Sequence, residues 1–257
     1  MELTIIIITS AVASLVTLFS GFGLGTILTP VFALFFPIEI AIALTGVVHF
    51  FNNIFKLGLL GKFAEWKVVL QFGIPSVIGA FIGAQLLLSL SEFRPIASYE
   101  IAGHEFFIHP VKLLIATLIF LFALIEIFPS LQSFTPSQRS LPFGGLISGF
   151  FGGLSGHQGA LRSAFLIQYG MTKEHFIATG VVIACCVDIT RLSLYSTRLL
   201  SSNALDHWEV VLAAILSAFA GAYAGNVLVK KVTVRFVQRT VAALLMLIAV
   251  GLGLGWI

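Results

Sequence analysis

Polar positions are so sparse along this chain that they punctuate long apolar runs. The runs are Leu3 to Phe36, Pro37 to Leu60, Trp66 to Leu90, Val111 to Phe128, Pro142 to Tyr169, Met171 to Leu194, Trp208 to Val229 and Val234 to Ile257. A straight helix needs about 20 residues to cross a bilayer, and six of the runs read as single spans. The other two, the first and the fifth, are broken by glycine. In the first, Gly21-Phe22-Gly23-Leu24-Gly25 and then Pro30 interrupt the run; in the fifth, the break is Ser155-Gly156-His157-Gln158-Gly159. Each interior glycine disfavours helix by up to about 1 kcal/mol relative to Ala. Non-helical backbone at membrane depth survives only where protein or a wet cavity satisfies its N–H and C=O groups. Each broken run is therefore expected to be two short helical arms meeting at a binding site.

The two halves of the chain repeat each other. Without gaps, Thr45-Gly46-Val47-Val48 falls on Thr179-Gly180-Val181-Val182, and the same offset places Gly25 on Gly159. Trp66-Lys67-Val68-Val69-Leu70 matches Trp208-Glu209-Val210-Val211-Leu212, and Gly79-Ala80-Phe81-Ile82-Gly83 matches Gly221-Ala222-Tyr223-Ala224-Gly225. Such self-similarity marks a duplication. The division expected is a first transmembrane repeat over 1–129, a Ser/Thr/Pro/Gln-rich linker over 130–140 and a second repeat over 141–257. Ser91 to Pro110, with Glu92, Arg94, Glu100 and Glu105, reads as a polar connection.

Charge orients the copies, because short cytoplasmic loops carry the excess of Lys and Arg. Lys56, Lys62 and Lys67 flank the loop after the second element of the first copy, whereas Lys230, Lys231 and Arg235 flank the loop one element later in the second. The fold class expected is thus an all-α polytopic membrane protein of two inverted repeats, each a glycine-broken re-entrant hairpin plus three transmembrane helices, with both termini outside. Eight simple spans with parallel halves would instead place these basic clusters on opposite sides. Inverted repeats with broken helices near the midplane are an architecture of secondary transporters.

Composition narrows the classes further. The 257 residues are 58% hydrophobic and 10% charged, with a mean hydropathy of +1.07, against about 25% charge in soluble domains. The net charge of +3 is scattered in loops, not gathered on a face, so the partners expected are the lipid bilayer and a small solute, not nucleic acid. The adjacent Cys185 and Cys186 form neither a disulfide framework nor a zinc spacing. Met1 to Ser20 lacks a basic n-region and an A-x-A cleavage site, and reads as a retained segment. No cofactor and no metal are called for.

The candidate chemistry gathers at the breaks. Gly25-Thr26 opens one second arm and Gly159-Ala160 the other, and two converging helix N-termini, each about half a positive charge, favour an anion. On the following helices Asn52, Asn53 and Lys56 answer Asp188 and Arg191, and with a one-residue shift Asn53-x-x-Lys56 matches Asp188-x-x-Arg191 at i,i+3 spacing on one face. Ionisable groups inside a membrane point to function, although Lys56 and Arg191 near helix ends would also serve by snorkelling. Arg162 replaces the Leu28 of the first copy and offers a planar fork to an oxyanion, or else compensates Asp188. His157, Gln158 and Gly159 complete the second tip, and His157 and Asp188 are the candidates for proton coupling. His49 reads as a satisfied core histidine, and His104 and His109 as solvated. Gly153-Leu154-Ser155-Gly156 fits a G-x-S-G protease pattern, but leaves the duplication unexplained.

With these residues in place, the chain resembles the sulfite exporter TauE/SafE family of membrane permeases. The likeness is carried by GFGLGTILTPVFALFFP, by Ile38-Glu39-Ile40-Ala41, by the helix with Asn52 and Asn53, by the Gly-Ala-x-x-Gly span and by their echoes in the second half. The second hairpin departs from a plainer Gly/Pro pattern in its His157, Gln158 and Arg162. The resemblance implies a permease of the bacterial cell membrane that exports sulfite, sulfonates and related anions, and no enzyme. A channel and a membrane scaffold are the rival expectations. Gly-x-x-x-Gly faces at Gly79/Gly83 and Gly221/Gly225 suit packing within the chain or in a homodimer.

Overall fold

A computed structural model describes residues 2–20, 24–128, 137–201, 208–228 and 234–257, with backbone alone at 16–20, 126, 127, 201, 225–228, 234–238 and 240. Gly21 to Gly23, most of the 130–140 linker, Lys230 and Lys231 lie outside the described residues. The first broken run gives α1 (Glu2–Ser20) and α2 (Leu24–Ala33), followed by α3 (Ile38–Leu60). Pro30 does not interrupt α2, which runs through it and forgoes the bond that a residue with an N–H would make one turn back. Pro37 stands immediately before α3 with extended backbone, as its fixed φ favours.

Trp66–Ser91 is one span made of a short α4 (Trp66–Val68), a π turn at Val69–Gly73 and α5 (Ile74–Ser91). Ser91 to Pro110 is not merely a connection. It folds as a β-hairpin, β1 (Ala97–Ile101) with β2 (His104–Ile108), joined by Ala102 and Gly103 at φ 53° and 81°. Two positive φ angles make the tight turn whose twist suits a hairpin, and Tyr99 stacks on Phe106 across it at 5.5 Å. Beyond it come α6 (Pro110–Ile127), α7 (Leu141–Ser155), α8 (Gly159–Leu166), α9 (Lys173–Ser201), α10 (Trp208–Leu228) and α11 (Val234–Gly253). Three of these spans, Ile38–Phe63, Trp66–Ser91 and Lys173–Leu200, are long and apolar enough to cross a membrane, and shorter apolar helices surround them. The chain is a helical, multi-pass membrane protein; exposed Ile74, Ile78, Phe81 and Ile82 on α5 present the apolar side such a protein turns to lipid.

Small residues decide how the helices meet. Gly145, Gly149 and Gly153 of α7 press against the carbonyls of Phe72, Ser76 and Ala80, while Gly79 and Gly83 press against those of Leu146 and Phe150. A Cβ at any of these five positions would overlap backbone. The contacts advance together along both segments, so α5 and α7 run parallel. Likewise Ser217 Oγ donates to the Ile7 carbonyl at 2.8 Å and Gly221 sits on the Ala11 carbonyl, which makes α1 and α10 parallel. The glycine faces at Gly79/Gly83 and at Gly221 are therefore used inside the chain and give no surface to a homodimer.

The second broken run is a hairpin in its backbone. Ser148 Oγ donates to the Gln158 carbonyl at 3.1 Å, Phe165 packs on Gly144, and Gln138 near the start of α7 reaches the Gln168 carbonyl after α8. Thus α8 folds back along α7 to the end it came from. At that end the chain after α3 meets the start of α9, where Glu65 pairs with His175 at 2.8 Å and the Glu65 N–H donates to Thr179 Oγ1. At the opposite end Glu92 pairs with Arg198, Tyr99 donates to the Leu254 carbonyl and Lys112 to that of Ile257. Helix contacts exchange between halves: α1 lies on α10 as α7 lies on α5, α2 lies on α3 as α8 lies on α9, and α3 with α9 and α6 with α11 pair across the middle.

Candidate functional site

The break after α7 is built by Gly156, whose φ of 81° ends the helix in the left-handed conformation that glycine adopts without strain. Its carbonyl lies 2.8 Å from where a Cβ on Gly25 would stand. The tips of the two broken runs therefore touch, and Gly25 is required by that approach. Thr29 Oγ1 and Arg191 Nη1 lie 3.6 and 3.1 Å from the equivalent point on Gly156.

Around this contact the sequence-predicted groups form one buried network. Arg191, 0% exposed, forks onto Asp188 Oδ1 through Nε at 3.0 Å and Nη2 at 2.8 Å, and its Nη1 reaches the Gly152 carbonyl at 3.4 Å. Gln158 Nε2 donates to Asp188 Oδ1 at 3.5 Å, and Arg162 Nη1 to Gln158 Oε1 at 3.4 Å. Asn53 Nδ2 donates to Asp188 Oδ2 at 3.4 Å, so these positions, one from each half of the chain, face each other. Asn52 accepts a bond from Ser14 Oγ on α1 at 3.2 Å, and Tyr195 Oη donates to the Gly153 carbonyl. Thr26 is buried in the first turn of α2 and Gly159 begins α8. Lys56 is 8% exposed and close enough to Arg162 for the cations to repel; it is not at the surface, where a purely snorkelling lysine would put its amine.

His49 corrects the sequence reading. It is buried and satisfied, as expected, but in a polar centre and not on an apolar face: its Nδ1 lies 2.6 Å from Asp188 Oδ2, with Asn53 Nδ2 3.1 Å from the same ring nitrogen. The signal was available, since His49, Asn52, Asn53 and Lys56 fall at i, i+3, i+4 and i+7 and so form one polar stripe on α3. His157 sits at the tip with Nδ1 2.9 Å from the Ser155 carbonyl and its ring stacked on Phe122 of α6 at 5.3 Å. Ser155 donates to the Phe151 carbonyl and shares its loop with His157, an arrangement unlike a serine activated by a base from another span.

Two physical properties follow. Buried Arg191 and half-buried Arg162 lie about one carboxylate, Asp188, the only buried acid among the described residues, and buried Lys56 lies beside Arg162 without an acid of its own. Removing an uncompensated ion from water costs several kcal/mol even after relaxation, so this site is short of negative charge. Further, Thr29 Oγ1, Thr45 Oγ1, Asn52 Nδ2 and His157 Nε2 are buried without a hydrogen-bond partner among the described residues, a state that disfavours each by about 1–3 kcal/mol unless something is bound there.

Fold and site together define a multi-pass membrane protein with an enclosed, cationic polar centre held between two helix breaks. The chain matches the model of the sulfite exporter TauE/SafE family over residues 6–252, nearly its whole length. It belongs to that family, and the family is one of membrane transporters of sulfite-type anions. Searches of curated proteins and of solved structures return no match.

Proposed function

We propose that this chain is an anion permease of the bacterial cell membrane that binds a sulfite-class anion between two inverted repeats and moves it outward by alternating access. The observation that carries the reading is the buried excess of cations at touching hairpin tips, where an anion restores charge balance. Arg191 and Arg162 supply forked donors, Lys56 a point charge, and Asn52, Thr29 and His157 the unpartnered polar atoms. Thr26, Asn53, Gln158, Gly25 and Gly159 shape the seat, the last two by letting backbone approach closely.

The repeat reading is supported by the exchange of helix contacts between halves and by the running of α1 and α7 from opposite ends of the molecule. A two-fold in the membrane plane generates both. Alternating access is favoured over a channel because Asp188 and Arg191 are 0% exposed while the halves touch at both ends, at Glu65–His175 and at Glu92–Arg198. With Lys62 and Lys67 beside the Glu65 end, that end is cytoplasmic and both termini are outside.

The test is flux of labelled sulfite into proteoliposomes of the purified protein, with a sulfonate and sulfate as competitors. Saturable flux that falls at least tenfold in Arg191→Ala is expected. Absence of flux from folded protein overturns the oxyanion reading, and flux that does not saturate favours a channel.

A further inference from the structure

The anion site leaves one short contact unused. His49 of α3 and Asp188 of α9 meet at 2.6 Å, across the interface between the halves and with side chains 6% and 0% exposed. Asp188 does not need His49 for charge, because Arg191 already forks onto its other oxygen. His49 is then a group that can gain or lose a proton while its carboxylate partner stays paired, and histidine is the side chain whose ordinary pKa permits this near neutral pH.

The surroundings set when that happens. From α9 the ring meets Asp188 and feels Arg191, from α8 it feels Arg162, and on its own helix Asn53 contacts it while Lys56 lies about two turns further on. The α2 and α5 segments packed on α3 carry no ionisable side chain, and those of α10, Glu209 and Tyr223, are exposed. With the anion seat empty, Arg191 and Arg162 oppose an added proton; an anion beside them offsets both and makes imidazolium acceptable. Anion and proton thus favour each other by linkage, which is reciprocal.

We propose that His49, bridged to Asp188, is the proton-carrying group of this protein, so that anion movement is coupled to protons. The proposal rests on the anion-permease reading and assigns coupling to His49 rather than to His157, which is held at the tip by Ser155. His49 is a positioning and titrating residue, not a contact of the anion. The bridge closes only while α3 and α9 keep this register, so a proton taken up in one state is released when the halves shift.

The experiment uses proteoliposomes of the full chain and of His49→Gln, which retains a hydrogen-bond donor for Asp188 but cannot carry the proton. Labelled sulfite is followed in two modes: exchange at equal pH on both sides, and net flux under an imposed pH gradient with and without a protonophore. Using one substrate in both proteins cancels its own titration. Expected are exchange within about threefold of wild type in His49→Gln, and a pH-gradient stimulation of at least fivefold in wild type that is abolished both by the protonophore and by the substitution. Wild-type exchange without any response to the gradient overturns the proposal while leaving the permease reading intact, as does a His49→Gln protein that still responds. Absence of wild-type exchange sinks both. Should His49→Gln fail to fold, His49→Asn serves, and the protonophore arm on wild type alone still decides whether protons are coupled.

Discussion

Asp188 is the residue on which the centre turns, because one carboxylate holds His49, Asn53, Gln158 and Arg191 in register. Removing one partner of a buried ion pair destabilises by about 3–5 kcal/mol, since the other charge is left uncompensated. Asp188→Asn therefore lowers the melting temperature in detergent, and sulfite restores more of that loss than it adds to wild type, because the bound anion takes over the missing negative charge. Equal stabilisation of both proteins by sulfite would show that the anion binds elsewhere. Sequence alone suggested Asp188, Arg191 and Asn53 from helical spacing, and Arg162 from its place one turn inside the second arm. It did not connect His49 to them, because its partner lies 139 positions away, and no local pattern reports so distant a contact.

At the scale of helices, glycine serves two separate purposes that one composition conceals. Gly149 lies under the Ser76 carbonyl with no room for a methyl, whereas a Cβ on Gly58, in the last turn of α3, meets nothing within 4 Å. Gly149→Ala is expected to destabilise by roughly 1–3 kcal/mol through overpacking. Gly58→Ala is expected to stabilise by up to about 1 kcal/mol through helix propensity. Thermal unfolding in detergent, with opposite shifts in melting temperature, checks both. The π turn at Val69–Gly73 and the hairpin at Ala97–Ile108 were not foreseen. The first arises within an unbroken apolar run, and the second is a short polar stretch whose strands pair only with each other and whose turn places Ala102, not a preferred turn residue, at positive φ.

For the whole molecule, the two end contacts define what must open. Exposed ion pairs contribute only about 0–1 kcal/mol each, so Glu65–His175 and Glu92–Arg198 do not lock the ends; they mark where the halves touch. Cysteines introduced as the pair Glu65→Cys and His175→Cys, or as Glu92→Cys and Arg198→Cys, in a background lacking Cys185 and Cys186, are expected to cross-link. Either cross-link should abolish sulfite flux, with recovery on reduction. Full flux in the cross-linked proteins would show that the ends do not separate during transport.

Membrane residence and the glycine break after α7 were determined by the sequence itself. Bilayer insertion depends on runs of about 20 apolar residues, and glycine and proline act on the backbone where they stand, so both are written locally. Family membership was legible for the same reason, through glycine patterns spread along nearly the whole chain. Only the tertiary structure decided that Gly25 meets Gly156, that Gly79 and Gly83 are spent on α7 and not on a second subunit, and that His49 closes on Asp188. Those contacts join segments from different halves, and their existence depends on how the helices stack, which is the sum of many small packing terms and not the property of any one stretch.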